Sequence, residues 1–225
     1  MCWPARGGAD TAGWPRSFKL RPPVMLRCKT TNEPLLNGCP PPPSPGPYQI
    51  IYADPPWSYR DPARAGRRGA ACKYSVMDLA AIAALPVPTL AAKDCVLFLW
   101  VTLPLLREGL RVIDAWGFDY KTTAFVWIKT NPRAGTDFFG MGHWTRANAE
   151  LCLLATRGRP ARLSARVRQV IRSPILRHSE KPGEARERIV ELLGDLPRVE
   201  LFARAKTPGW DCWGNEVESD LAFAA

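Results

Sequence analysis

The sequence predicts an α/β domain, because short apolar runs that suit strands alternate with segments that suit helices. The run at 95–101 contains no charged residue, which is typical of a strand buried on both faces of a sheet. No Gly-x-Gly-x-x-Gly motif follows a strand, so a dinucleotide-binding fold is not supported. We expect one domain at 47–218, between an irregular proline-rich tail at 1–46 and a short tail at 219–225.

The order of the elements follows from periodicity and from turn residues. We predict strands at 48–53, 95–101, 121–128, 150–155 and 199–203, and a short strand around Val167, Val170 and Ile171. We predict helices at 78–84, capped near Ser75 and ended by Pro86, at 104–116, ended by Gly117, and at 182–193, ended by Gly194. Loops should occupy 58–73 and 135–145, and an aromatic, polar segment should follow at 210–217.

Composition limits the functional classes. The chain has 225 residues, a net charge of +10 and a pI of about 9.6, which suits a polyanionic partner such as nucleic acid. Its seven cysteines are widely spaced without a Cys-x-x-Cys motif, and there are only two histidines, so we predict no metal site. No apolar run reaches the roughly 18 residues of a membrane span, and the first residues lack the apolar core of a secretory signal. We therefore expect a cytoplasmic protein without a membrane partner.

The segment Asp54-Pro55-Pro56-Trp57 is the strongest candidate for chemistry. It follows the strand predicted at 48–53, and its prolines, which lack an N–H, cannot continue that strand. The acid therefore lies on a stiff turn at the carboxyl end of a strand, where open α/β sheets place ligand sites. An ordinary turn is the alternative interpretation.

The same segment suits an attack by a nucleobase amino group, which is a poor nucleophile because the ring delocalises its lone pair. Asp54 and the carbonyl of Pro55 would each accept one N–H of that amino group and so localise the lone pair. Trp57 would stack on the base. A base within a duplex would first have to be flipped out of the stack.

Basic and polar residues elsewhere are candidates for substrate contact. The glycine-punctuated loop after the corner would touch phosphate or close over a bound base through Arg60, Arg64, Arg67 and Arg68. The arginine-rich strip at 157–177 would form a groove for a phosphate backbone beside the corner, through Arg162, Arg166 and Arg168, or else a solvated surface. Lys129 and Asn131 are either polar groups at a strand end or pocket residues.

Several motifs occur in one family order. They are Tyr-Ala-Asp-Pro-Pro-Trp at 52–57, Tyr-Ser-Val-Met at 74–77, Leu-Phe-Leu-Trp-Val-Thr at 97–102, Trp-Ile-Lys-Thr-Asn at 127–131, Gly-His-Trp-Thr-Arg at 142–146, His-Ser-Glu-Lys-Pro at 178–182, Glu-Leu-Phe-Ala-Arg at 200–204 and Gly-Trp-Asp-Cys-Trp-Gly-Asn-Glu at 209–216. Over about residues 48–217 the chain closely resembles the adenine-N6 methyltransferases related to the catalytic subunit of the eukaryotic mRNA adenosine methylase. That family also has bacterial and phage members that methylate DNA.

The resemblance implies S-adenosylmethionine as methyl donor, direct transfer without a covalent enzyme intermediate, and a Rossmann-like methyltransferase fold. Such a fold has a central, mostly parallel sheet flanked by helices. The resemblance also implies that Tyr74 lines the base pocket, that Lys181 lies between donor and target, and that Glu150 is a structural or base-side acid. The residues it implies at the donor are Asp54, Lys181, Arg204, Lys206, Thr207, Asn215 and Glu216.

DNA adenine is the predicted substrate, because the ending at 209–216 resembles the compact bacterial and phage members. The cysteines also lack the spacing that zinc fingers like those of the mRNA enzyme require. RNA adenine and the N4 amino group of cytosine are alternatives. So is a catalytically inactive partner that only presents nucleic acid, although degenerate subunits lose the corner acid and this chain retains Asp54 and Lys181. A small-molecule methyltransferase fits the arginine strip less well. A homodimer or a second subunit is compatible with the sequence.

Overall fold

The computed structural model describes residues 47–58, 76–142, 144–176 and 180–223. The predicted tail at 1–46 and the predicted site residues Arg60, Arg64, Arg67, Arg68 and Tyr74 lie outside the described residues. The described strands are β1 Tyr48–Ala53, β2 Ala91–Thr102, β3 Asp119–Thr130, β4 Glu150–Arg157, β5 Val170–Pro174, β6 Arg198–Leu201 and β7 Asp211–Trp213. The described helices are α1 Leu79–Ala83, α2 Leu106–Ala115 and α3 Glu184–Leu193, with short 3₁₀ turns at Val87–Thr89 and Leu103–Leu105.

The described strands form one sheet in the order β5-β3-β4-β2-β1-β6-β7. β1 is parallel to β2 and β6, β6 is parallel to β7, and β3 is parallel to β5. β4 is antiparallel to both β2 and β3. All described strands except β4 therefore end at the same edge of the sheet, which we call the carboxyl edge, and β4 begins there. The predicted α/β architecture with a mostly parallel sheet is confirmed.

Helices cover both faces of the sheet. On one face, α1 and α2 contribute Ile82, Val112 and Ile113 to a buried cluster with Leu97 and Leu99 of β2. On the other face, the buried side of α3 packs against alternate residues of the same strands, in a cluster that includes Tyr52, Phe98, Trp100, Ala185 and Ile189. Successive strand residues point to opposite faces, so β1 and β2 serve both clusters. No helix in the described ranges is both long and apolar enough to cross a membrane.

Several elements differ from the predictions. α1 is capped by Asp78, whose carboxylate accepts a hydrogen bond from the Ala81 amide at 2.7 Å, and not near Ser75. β2 begins at Ala91, before its apolar run, because backbone pairing with β1 extends over residues whose side chains are not buried. β7 was not predicted as a strand, since three residues are too few to show a period.

The segment predicted as a separate tail at 219–225 packs against the domain over its described part. Leu221 is buried in the same cluster as Leu97, and Phe223 lies edge-on to Trp213 with ring centroids 4.8 Å apart. The Asp220 amide also donates to the carbonyl of Cys212 at 2.8 Å. Residues 219–223 thus belong to the domain.

Candidate active site

The corner after β1 is rigid because its backbone is hydrogen-bonded on both sides. The Trp57 amide donates to the carbonyl of Pro55 at 2.8 Å, which closes a tight turn. The Met77 amide donates to Pro56 at 2.9 Å and the Ser58 amide donates to Met77 at 3.2 Å. The carboxyl end of β1 therefore holds Asp54 in a fixed position at the carboxyl edge.

Trp57 holds the corner against the sheet. Its side chain is buried, and its Nε1 donates to the carbonyl of Trp100 at 3.0 Å. The ring packs in the cluster that contains Leu99 and Val101. We predicted that this ring stacks on a base, and its burial corrects that expectation, because both its apolar surface and its N–H are already used within the fold.

Four charged side chains meet at the carboxyl edge. The ammonium of Lys181 lies 2.7 Å from Oδ2 of Asp54 and 3.2 Å from Oε2 of Glu150. The ammonium of Lys129 lies 2.5 Å from Oε1 of the same Glu150. We call Asp54, Lys181, Glu150 and Lys129 the charge chain, since their signs alternate along it. They come from the end of β1, the turn before α3, the start of β4 and the end of β3.

The charge chain is largely buried, so its members set each other's ionisation. Burial raises the pKa of Asp54, and the Lys181 ammonium opposes that rise. Burial alone would also raise the pKa of Glu150, but Lys181 and Lys129 outweigh it and hold that pKa below its ordinary value. Against the effect of burial, Asp54 and Glu150 raise the pKa of Lys181, which therefore stays charged at neutral pH.

A cavity of about 810 Å³ opens beside this chain. Lys129 and Glu150 lie in its wall, together with Thr102 at the end of β2 and residues of α2. Its other described lining residues are Ser58, Asp78, Leu79 and Leu103–Leu105, and residues of 138–142 and 147–149 in the loop between β3 and β4. A cavity of this size is in the range of small-molecule sites. The charge chain thus leads from an open cavity to the acidic corner.

The loop between β3 and β4 is tied to the charge chain by Asn148. Its Oδ1 accepts from the Lys129 amide at 2.8 Å, and its Nδ2 donates to the Lys129 carbonyl at 3.0 Å and to the Phe138 carbonyl at 2.6 Å. No pattern in the sequence indicates this role, because Asn148 belongs to no periodic segment. Asn131, the other polar candidate, donates to Thr136 and Asp137 of its own loop and braces that loop.

The residues predicted at the donor follow β6 and β7 at the same carboxyl edge. Nε of Arg204 lies 3.8 Å from Oε1 of Glu216, and its guanidinium, like the Lys181 ammonium, opposes the rise that burial causes in the pKa of Asp54. Asn215 precedes Glu216 directly. Gly214 lies so close to β6 that an added Cβ would be 2.2 Å from the Ala203 carbonyl oxygen. The structure thus brings Arg204, Asn215 and Glu216 to the edge that holds Asp54.

Two other predicted donor residues have partners within the fold. The ammonium of Lys206 lies 2.7 Å from Oδ1 of Asp220, on the protein surface. The Thr207 carbonyl accepts from the Trp210 amide at 3.1 Å. Phe202, between β6 and Arg204, has a φ of 64°, a strained conformation for a bulky residue that often marks a functional segment. A donor contact by Lys206 or Thr207 stays a prediction.

The first part of the arginine strip, from Arg157 to Arg168, lies away from the corner, whereas Arg172 in β5 pairs with Ile128 near the carboxyl edge. Arg157 at the end of β4 pairs with Cys95 near the start of β2, whereas Glu150 pairs with Thr102 at its end. The seven steps from Glu150 to Arg157 separate the two ends of β4 by about 23 Å at about 3.3 Å per residue. The strip residues Arg162, Arg166 and Arg168 are exposed. They follow the far end of β4, which corrects the expected position beside Asp54, and their contact with nucleic acid stays a prediction.

A family model described as MT-A70 matches residues 48–216, from the start of β1 to Glu216. The chain is 36% identical over 190 residues to the Type II methyltransferase M.MunI from Mycoplasma sp, a match that covers 76% of this chain and 78% of that protein. It is 30% identical over 192 residues to the N(6)-adenine-specific methyltransferase METTL4 of Mus musculus, covering 76% of this chain and 37% of that protein. It is also 30% identical over 182 residues to the N6-methyladenosine RNA methyltransferase MTA1 of Pyricularia oryzae, covering 76% of this chain and 47% of that protein.

Proposed function

The chain belongs to the MT-A70 family of N6-adenine methyltransferases, and from this premise we propose that it transfers a methyl group from S-adenosylmethionine to N6 of adenine in DNA. One observation carries the proposal. A buried lysine, Lys181, holds the Asp54 carboxylate at the carboxyl edge, between the cavity and the Arg204–Glu216 pair. Such an acid is placed to contact both a base and a donor.

The residues beyond β6 suit the chemical groups of the donor. Arg204 offers a guanidinium for a carboxylate, and Glu216 and Asn215 offer oxygens for ribose hydroxyls. All three lie at the carboxyl edge, where ligands of open α/β sheets bind. When bound there, S-adenosylmethionine supplies an electrophilic methyl group.

The corner binds and orients the amino group. The Asp54 carboxylate accepts one N–H of the adenine amino group and the carbonyl of Pro55 accepts the other, so the nitrogen lone pair is localised for attack. The Pro55 oxygen already accepts from Trp57, and its second lone pair serves the base. Lys181 fixes the carboxylate by its contact at 2.7 Å and opposes the rise that burial causes in its pKa. Lys129 and Glu150 line the cavity, and they limit the space that the base would occupy.

The choice of DNA is supported by the similarity to the Type II methyltransferase M.MunI, to which the chain is 36% identical. The match spans 78% of the bacterial M.MunI but less than half of METTL4 and of MTA1. The net charge of +10 suits either nucleic acid. RNA adenine is the second candidate, because MTA1 is named as an RNA methyltransferase. Cytosine N4 presents the same kind of amino group to Asp54.

The test is methyl transfer followed by identification of the methylated nucleoside. Purified protein is incubated with labelled S-adenosylmethionine and either unmethylated plasmid DNA or an RNA transcript of the same sequence, and the nucleosides are separated by mass spectrometry. We expect N6-methyladenine from the DNA. If the RNA is methylated and the DNA is not, the substrate is RNA. If the product is N4-methylcytosine, the target base is cytosine.

Two variants separate an enzyme from an inactive partner. Asp54→Asn removes the corner charge and should abolish transfer, whereas Asp114→Asn removes an exposed acid of α2 and should leave transfer unchanged. If the wild-type protein and both variants bind DNA equally well and none transfers a methyl group to DNA or RNA, the chain is a nucleic-acid-binding partner. If the protein neither binds DNA or RNA nor transfers the labelled methyl group to them, a small-molecule methyltransferase is the remaining interpretation.

A further inference from the structure

Three apolar side chains are exposed on the loop that lines one side of the cavity. Phe139, Met141 and Trp144, which we call the apolar rim, are 61%, 83% and 99% exposed. Met141 also lines the cavity itself. A tryptophan with almost its entire surface in water is unusual in a folded domain, because aromatic side chains contribute most when they are buried. The position of the rim beside the cavity suggests a role in binding.

The loop that bears the apolar rim is held in shape by its own hydrogen bonds. Arg146 donates through Nε to the Gly140 carbonyl at 2.8 Å and through Nη2 to the Phe139 carbonyl at 3.1 Å. The Gly140 amide donates to the Ala147 carbonyl at 2.7 Å. The chain also turns tightly at Gly142, where an added Cβ would be 2.0 Å from the Thr145 carbonyl oxygen. The rim side chains therefore project from a braced loop.

The groups around the rim suit a nucleic acid strand. Arg133 and Arg146 of the same loop are exposed, and the exposed Arg111 of α2 lines the cavity. Besides Glu150, the cavity wall contains two acids. Asp78 caps α1 and Glu108 lies in α2, so both are on the side of the cavity that the helices form. Aromatic side chains that stack on bases and arginines that contact phosphates are the usual means of holding a single or opened strand.

We propose that the apolar rim is a base-stacking surface, in which Trp144 and Met141 fill the gap that the target adenine leaves in a DNA duplex. This inference rests on the proposed function, because an adenine inside a duplex reaches the cavity only after leaving the stack. Proteins that unstack a duplex often insert an apolar side chain between bases. Trp144 offers the stacking area, and Met141 connects it to the cavity where the adenine enters.

The experiment compares one plasmid in two states, native and heat-denatured, as substrate for the intact protein. Trp144→Ala should lower kcat/KM on native DNA by about tenfold or more and on denatured DNA by less than about threefold, because lost stacking matters most when a duplex must be opened. Trp144→Phe should retain most of the wild-type ratio of kcat/KM on native DNA to kcat/KM on denatured DNA. Tyr120→Ala removes an aromatic side chain that is 44% exposed at the start of β3, at the opposite edge of the sheet, and should change neither substrate.

Equal effects of Trp144→Ala on native and denatured DNA, or no effect, would overturn the inference while leaving DNA methylation intact. A wild-type protein that methylates neither form of DNA would overturn the proposed function first, and this inference with it. Light scattering provides the remaining check. If Trp144→Ala converts a dimer to a monomer, the rim is a contact between copies of the chain and does not stack on bases.

Discussion

The ammonium of Lys181 lies 2.7 Å from Oδ2 of Asp54, across 127 residues of sequence. The lysine precedes α3 and the acid ends β1, so the pair joins two elements at the carboxyl edge. The pair is largely buried, with side-chain exposures of 6% for Lys181 and 21% for Asp54. A carboxylate held in this way has a fixed direction and is largely shielded from solvent.

Replacement of Lys181 tests whether the lysine positions the acid. Lys181→Met should lower kcat/KM by about 10²–10³-fold, since a preorganised charged group is lost from the site. It should also destabilise the fold by about 3–5 kcal/mol, because Asp54 and Glu150 remain buried without their shared partner. Single-turnover assays and urea unfolding measure the two effects, and Lys121→Met removes an exposed lysine as the control.

Lys181→Met should also shift the pH profile of kcat/KM. The ionised carboxylate of Asp54 is a stronger acceptor than the protonated acid, so activity falls as pH falls through its folded-state pKa, which burial raises. Lys181 lowers that pKa, and its removal should move the acidic limb of the kcat/KM profile to higher pH. Lys181→Arg, which keeps a cation, should move the limb less. An unchanged limb in Lys181→Met would show that Asp54 does not set the profile.

Glu150 should give the fold a pH-dependent stability. Its folded-state pKa lies below the ordinary value, so its contribution is complete above about pH 5 and is lost as pH falls through the folded-state pKa. Glu150→Gln should destabilise the protein by about 1–3 kcal/mol at pH 7 and by much less at pH 3. Urea unfolding at both pH values measures this, with Glu191→Gln, an exposed acid of α3, as control. An equal loss at both pH values would contradict the ionised pairing.

Trp57 distinguishes a structural role from base stacking. Because the ring is buried, Trp57→Ala should destabilise the fold by about 3–5 kcal/mol, and Trp57→Phe should cost less because it loses mainly the hydrogen bond to Trp100. Thermal unfolding of the two variants measures this order. If Trp57 stacked on the base, Trp57→Ala would instead raise KM for DNA and leave the unfolding midpoint unchanged.

Asn148 should couple the loop to the cavity wall. Asn148→Ala removes three hydrogen bonds and should cost about 1–3 kcal/mol, and the freed loop should raise KM for DNA more than it lowers kcat. Asn148→Asp keeps the acceptor for the Lys129 amide but loses both donors, so it should give an intermediate effect. A fall in kcat alone, with KM unchanged, would place Asn148 in the chemical step.

Much of the fold could be predicted from local sequence. The apolar runs located β1, β2, β3, β4 and β6, and the prolines after Asp54 indicated the rigid corner, because both signals are local. Strand order is not local, so the position of the arginine strip could not be predicted. The reversed direction of β4 takes its far end, at Arg157, to the opposite edge from Glu150.

The candidate site was only partly visible in the sequence. The identity of Asp54 and its stiff turn followed from spacing, but the burial of Trp57 did not, since an aromatic residue after a turn suits either the core or the surface. The contact of Lys129 with Glu150 depends on the pairing of β3 with β4, which side-chain patterns do not specify. Asn148 was missed because a lone loop asparagine has no pattern.

The most direct test is the single-turnover rate of methyl transfer to adenine in Asp54→Asn, measured with donor and DNA both at saturating concentration. If Asp54 localises the lone pair of the amino group, the rate should fall by about 10³-fold or more while donor and DNA still bind, because the acceptor loses its charge and one of its two oxygens. A rate within about threefold of the wild-type value would contradict this role.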